Sequence, residues 1–190
     1  MFELFFVSGC GKGRGNGTLY RCKLKNSNNE LKFISIMRWF NKNELIRCYR
    51  QDKAQRCKEC RLPQPVTRLP NGIEESLAAL VEDVLDPVRE KLGRPIVVNS
   101  GFRCPVHNRM VGGATGSQHV KGEAADIRFQ DSRFKVQDLA KAIVANGTWD
   151  QLIMYPTFVH VSYKRGGGNR REILRKTSGG YVKMSINDLK

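Results

Sequence analysis

The chain has 190 residues, enough for one folded domain with tails, and no run of eighteen apolar residues that would cross a membrane. Its formal charge of +15 is uneven: residues 1–62 carry 14 Lys/Arg against 5 Asp/Glu, residues 63–150 carry 11 of each, and residues 151–190 carry 8 against 2. A balanced centre between two basic ends points to an anionic partner, while the lack of interleaved aromatics and of a complete zinc-finger pattern argues against specific nucleic-acid binding.

In chain order, Met1 to Cys10 ends like a lipoprotein cleavage box. Its apolar stretch is short and Glu3 stands where positive charge belongs, so it is not read as a signal peptide. Residues 11–36 are rich in Gly, Asn and Lys and read, with the start of the chain, as a loose basic arm over residues 1–36. Asn41-Lys-Asn-Glu44 has the form of a capping box and predicts a short helix through about Arg50. Residues 51–70 form a polar, proline-containing connector. Within it Cys57-Lys-Glu-Cys60 has the spacing of half a zinc knuckle or of a redox pair, but no second pair accompanies it.

Asn71-Gly-Ile-Glu74 reads as a second capping box. It opens the clearest helix, with Ile73, Leu77, Leu80, Val81, Val84, Leu85, Val88 and Leu92 on one face. Pro87 inside that pattern predicts a kink or a division, and Gly93 ends it. Ile96-Val97-Val98 predicts a buried strand, residues 104–118 a glycine-containing loop, and Ala124 to Phe129 another strand. Ser132 is the expected cap of a helix that ends at Asn146-Gly147. Gln151–Tyr155 and Phe158–Tyr163 alternate as a hairpin around Pro156-Thr157. Two tightly joined strands at the end of this order favour an α+β fold with an antiparallel sheet flanked by helices.

The chemistry concentrates in Ser117-Gln-His119-Val-Lys-Gly122-Glu-Ala-Ala-Asp126 and in Phe158-Val-His160-Val-Ser162. Strand alternation sets His160 on the face opposite Val159 and Val161, so it points into a cleft rather than the core. Two neutral imidazoles and one carboxylate suit a zinc ion that keeps a fourth position open. Such an ion acidifies a bound water and polarises a carbonyl, which predicts a zinc hydrolase. The remaining histidine, His107, has no partner ligand nearby in sequence and reads as structural. Arg103 suits a substrate carboxylate, an oxyanion or a merely exposed position. Ser117 suits a bond to a substrate carbonyl or a cap on the turn.

Ser100-Gly-Phe-Arg103-Cys-Pro, Asn108, Val111-Gly-Gly113, the Ser117–Asp126 run, Asp150-Gln-Leu-Ile153 and Val159-His160-Val-Ser162 together resemble the zinc D-Ala-D-Ala carboxypeptidase family, which shares its fold with Hedgehog N-terminal domains. The similarity is to the branch found in bacterial cell-wall enzymes and phage lysis proteins, and it covers about residues 37–175, leaving 176–190 as a basic tail. The resemblance implies His119, Asp126 and His160 as ligands of one zinc ion and Arg103 as the arginine that meets the substrate or the oxyanion. It implies hydrolysis of a peptide bond in the peptidoglycan stem or cross-link, as a D-Ala carboxypeptidase or endopeptidase acting in the periplasm or cell wall. A monomer that binds the stem peptide and an anionic envelope is the expected state.

The general base departs from the family pattern. Many members carry an acid three residues before the second histidine, where this chain has Thr157. Others carry one at the end of the preceding strand, where it has Tyr155. Asp150 is the nearest remaining acid and is the candidate base, with a capping or loop-bonding role as its alternative. Ser117, Gln118 and Tyr155 are the expected substrate contacts, with Tyr155 also suited to stabilise the transition state. The competing expectation is a zinc-containing module of the same fold that binds a peptide without cleaving it.

Overall fold

A computed structural model describes residues 6–12, 20–25, 31–35, 38–46, 69–70 and 72–189. The chain divides into two compact units, Met1–Arg38 and Trp39–Lys190.

In the first unit, β1 (Phe6–Lys12), β2 (Tyr20–Lys25) and β3 (Leu31–Ser35) form an antiparallel sheet in the order β1-β2-β3. Within the region read as a loose arm, residues 6–12, 20–25 and 31–35 are therefore strands. The overlooked signal is a short alternation: Tyr20, Cys22 and Leu24 interleave with Arg21, Lys23 and Lys25. The register sets Cys10 opposite Cys22.

The second unit begins with α1 (Lys42–Leu45). The Asn41 carboxamide accepts from the Glu44 N–H at 3.0 Å and donates to the Glu44 carboxylate at 2.6 Å, so the predicted box caps this turn. The expected continuation to Arg50, the connector over 51–68 and the Cys57–Cys60 pair lie outside the described residues.

α2 (Ile73–Leu80) runs through a π-helical turn, Val81–Leu85, into α3 (Asp86–Leu92). Leu80, Val81, Val84, Leu85 and Val88 are fully buried, as the periodicity predicts. Each such side chain contributes roughly 1.5–3 kcal/mol by leaving water. Pro87 lacks an N–H and its ring would strike the carbonyl four residues back, and the widened π turn just before it takes up that mismatch. The expected cap, Asn71, lies outside the described residues. The helix opens after Gly72, which is left-handed at φ 81° and offers no side chain.

β4 (Ile96–Ser100) leads into α4 (Pro105–Met110), where a loop was expected. Proline at the first helical position and Cys104 as cap, its Sγ 3.4 Å from the His107 N–H, start this helix. A 3-10 turn, Gln118–Lys121, then precedes β5 (Ala124–Phe129). α5 (Val136–Asn146) is capped by Lys135 backbone rather than by Ser132 and ends at Gly147. β6 (Gln151–Met154) and β7 (Val159–Ser162) form the predicted hairpin.

Two further strands, β8 (Glu172–Thr177) and β9 (Gly180–Met184), complete a six-stranded sheet in the order β4-β5-β7-β6-β8-β9. The fold is α+β as predicted, but the sheet is mixed, because β8 pairs parallel to β6. β7 ends beside the start of β6, so the chain passes that end of the sheet and enters β8 in the direction of β6. Within the segment read as a tail, residues 176–189 finish β8, form β9 and close on a 3-10 turn, Ile186–Leu189, with Leu189 buried. On the inner layer, Ala125, Ile127, Leu152, Val159 and Val161 are buried together with Leu139 and Ile143 of α5.

Candidate metal centre

His119, Asp126 and His160 come together from three elements. The 3-10 turn carries His119, and the β5–β7 register places Asp126 directly opposite His160. All three are buried, with 2 %, 8 % and 8 % of their surface exposed. His119 Nε2 lies 3.1 Å from Asp126 Oδ1 and 3.1 Å from His160 Nδ1, and His160 Nδ1 lies 2.9 Å from the same carboxylate oxygen.

Backbone geometry aims these donors. His119 Nδ1 donates to the Gly101 carbonyl at 2.7 Å, which puts the ring proton on Nδ1 and leaves the Nε2 lone pair facing the other two residues. Gly101 has to be glycine: a Cβ there would lie 2.1 Å from the Leu45 carbonyl oxygen. Gly113 is also tightly placed, since a Cβ would lie 2.2 Å from the Oδ1 of buried Asn108. Asn108 in turn donates to the Ala114 carbonyl at 2.9 Å and fixes the loop that leads to His119.

The donor set fits zinc. Ligands at ~2.0–2.1 Å in a tetrahedron stand about 3.3 Å from one another, close to the separations seen here. Burial pushes the His160 imidazole down, against the raising effect of Asp126, so it is neutral and ready to ligate. Burial acts to raise the Asp126 carboxyl, but hydrogen bonds and charge from His119 and His160 outweigh it and hold the group well below the usual carboxylate range. Asp126 divides its oxygens: Oδ1 faces the imidazoles, and Oδ2 takes a hydrogen bond from Arg103 Nη2.

The three residues lie in a cleft of about 640 Å³. Arg103 lines it, held by a 2.7 Å bond from its Nε to Ser100 Oγ and by its backbone bond to the His119 carbonyl. Ser117, Gln118 and Tyr155 line it as well. Ser117 Oγ also caps the 3-10 turn, accepting from the His119 N–H at 3.3 Å. Tyr155 stacks on Phe158, and burial together with its hydrogen bond to Tyr181 keeps its phenol protonated far above neutral pH.

Asp150 is not at the cleft. It is fully buried, and its carboxylate is taken up by Arg170 at 2.6 Å, by Lys164 at 3.3 Å and by the Arg170 backbone N–H at 2.8 Å. Its backbone N–H bonds Ser162 and its carbonyl bonds Glu172, so it stitches β7, β6 and β8 at the crossover. Arg170 pulls its carboxyl down to about 2, against the opposing effect of burial. The expected base is thus a structural anchor. His107 lies on α4 and is not among the residues that line this cleft.

Sequence reasoning missed Glu123, Lys164, Arg170 and Tyr181 as cleft residues. Glu123 sits inside the metal motif and is the one cleft carboxylate besides Asp126 among the described residues. Its Oε2 accepts from Gln118 Nε2 at 3.4 Å, and Gln118 Oε1 accepts from Arg170 at 3.1 Å. Arg170 and Tyr181 come from a segment read as the end of the domain and its tail, where no local pattern gives a direction to either side chain.

A family model for peptidase M15 matches residues 38–162. No curated protein matches the chain. The match takes in Arg103 and the three residues that assemble the zinc site. It covers about two-thirds of the sequence, and the chain belongs to the M15 family of zinc-dependent peptidases.

Proposed function

We propose that this zinc peptidase hydrolyses a peptide bond in the bacterial peptidoglycan stem or cross-link, as a D-Ala carboxypeptidase or endopeptidase, in cell-wall remodelling or phage lysis. The observation that carries the reading is the buried His119–Asp126–His160 set at the floor of a cleft lined by Arg103 and Tyr155. Cleft-lining Arg103, Lys121, Lys164 and Arg170 favour a substrate with free carboxylates, such as a stem peptide. The basic composition of residues 151–190 supports action at an anionic envelope, in the periplasm or cell wall.

His119, Asp126 and His160 would hold the ion, which when bound polarises the scissile carbonyl and acidifies a water. Arg103 is pinned between Ser100 and Asp126, so its remaining N–H groups are pre-oriented toward a substrate carboxylate or a developing oxyanion. Tyr155, neutral and stacked on Phe158, offers a second donor to the same oxygen. Glu123 takes the role first expected of Asp150: its carboxylate accepts a proton and returns it to the leaving amine.

Mass spectrometry of peptidoglycan fragments, incubated with zinc or with a chelator, tests this reading. Chelator-sensitive loss of single D-alanines identifies a carboxypeptidase. Chelator-sensitive loss of cross-linked dimers or shortened stems identifies an endopeptidase. No change with folded, zinc-loaded protein would favour a peptide-binding module instead. Glu123→Gln is expected to lower kcat on the order of 10²-fold or more with zinc retained, and an unaltered kcat would take the proton relay away from Glu123.

A further inference from the structure

The family match ends at Ser162, yet the cleft wall continues into the crossover and the C-terminal hairpin. Tyr181 stands on β9, the edge strand of the sheet, and its hydroxyl lies 3.2 Å from that of Tyr155. The Tyr155 ring is fixed independently. It stacks on Phe158 with centroids 4.3 Å apart and planes 10° apart, and its backbone N–H donates to the Phe158 carbonyl at 2.9 Å. The Lys176 ammonium lies 4.5 Å from the centre of the Tyr181 ring and steadies it from the neighbouring strand. Tyr181 is 55 % exposed, so core packing does not account for its placement.

A phenol both donates and accepts. When Tyr181 donates to the Tyr155 oxygen, the Tyr155 proton is left for a substrate oxygen in the cleft. Two hydroxyls in series polarise each other, which makes the outer one a stronger donor. We infer that Tyr181 is a positioning residue that orients the Tyr155 hydroxyl toward the substrate, so that β9 completes a site whose metal ligands all lie within the family-matched segment. This deepens the proposed peptidase reading and rests on the role given there to Tyr155.

The test compares Tyr181→Phe, Tyr155→Phe and the double variant, each zinc-loaded, on purified muropeptides. Tyr181→Phe is expected to lower kcat about threefold to tenfold, with KM within about twofold. Tyr155→Phe is expected to lose more, and the double variant no more than Tyr155→Phe alone. The second readout needs no turnover: the Cζ resonance of Tyr155, in protein carrying carbon-13-labelled tyrosine, shifts in Tyr181→Phe with or without metal. A wild-type kcat with an unmoved resonance overturns the inference. So does a loss from Tyr181→Phe that persists in full when Tyr155 is already Phe. If the wild-type protein is inert on muropeptides, the peptidase reading fails on its own, and the resonance then decides whether Tyr181 sets the Tyr155 hydroxyl.

Discussion

Two aspartates of this domain are buried against arginines, and the difference between their surroundings separates a metal site from a structural joint. Asp126 lies on β5 opposite His160, where its Oδ1 meets two imidazole nitrogens. Asp150 lies just before β6, where every partner of its carboxylate is an N–H of Arg170 or the ammonium of Lys164. Both carboxyls titrate below their ordinary range, so a low value does not mark catalysis. The mark is the kind of partner. Donors saturate Asp150. The centre at Asp126 gathers nitrogen and oxygen lone pairs within about 3 Å of one another, an arrangement that a cation stabilises.

Removing a ligand should separate the two regions most sharply. His160→Ala is expected to abolish bound zinc and, with it, chelator-sensitive hydrolysis. Metal analysis of the purified variant checks this, and full zinc occupancy would break the assignment. Arg103→Ala comes next. Loss of its donors should lower kcat about 10²-fold to 10³-fold. Loss of its bond to Asp126 should weaken zinc binding about 10-fold to 100-fold, read by competition with a chelator. A variant that lost kcat at unchanged zinc affinity would confine Arg103 to the substrate and free Asp126 of its influence.

The metal side of this comparison was legible in sequence because it is local. His119, Gly122 and Asp126 sit within eight residues, and β-strand alternation alone turns His160 away from the core valines. The long amphipathic helix was legible for the same reason, since Leu77 to Val88 carry their own period. Asp150 was misread because its role depends on Arg170, 20 residues later, and on a parallel crossover that hairpin patterning does not announce. Tyr181 was invisible for a similar reason: its partner is a hydroxyl 26 residues earlier. The α4 helix did carry a signal, proline after a capping cysteine, which the nearby glycines obscured.

The smallest effect on turnover belongs to Asp150, and it is the most discriminating. Asp150→Asn keeps the shape but removes the charge that holds Arg170 and Lys164, with an expected cost of about 2 kcal/mol and a fall in Tm of about 4–8 °C. The kcat of the folded fraction should stay within about threefold; a loss of 10²-fold at unchanged Tm would return the general base to Asp150. The pH dependence of stability gives an independent reading. The folded value of about 2 lies below the ~3.9 of an unfolded aspartate, so the unfolded chain binds the proton first as pH falls. The stability that Asp150 contributes is therefore complete above about pH 4 and drains away toward pH 2. Asparagine has no such titration. The gap in Tm between wild type and Asp150→Asn should hold from neutral pH to about pH 4 and narrow below it, and a gap that stayed constant to pH 2 would mean that the carboxylate is not what holds the crossover together.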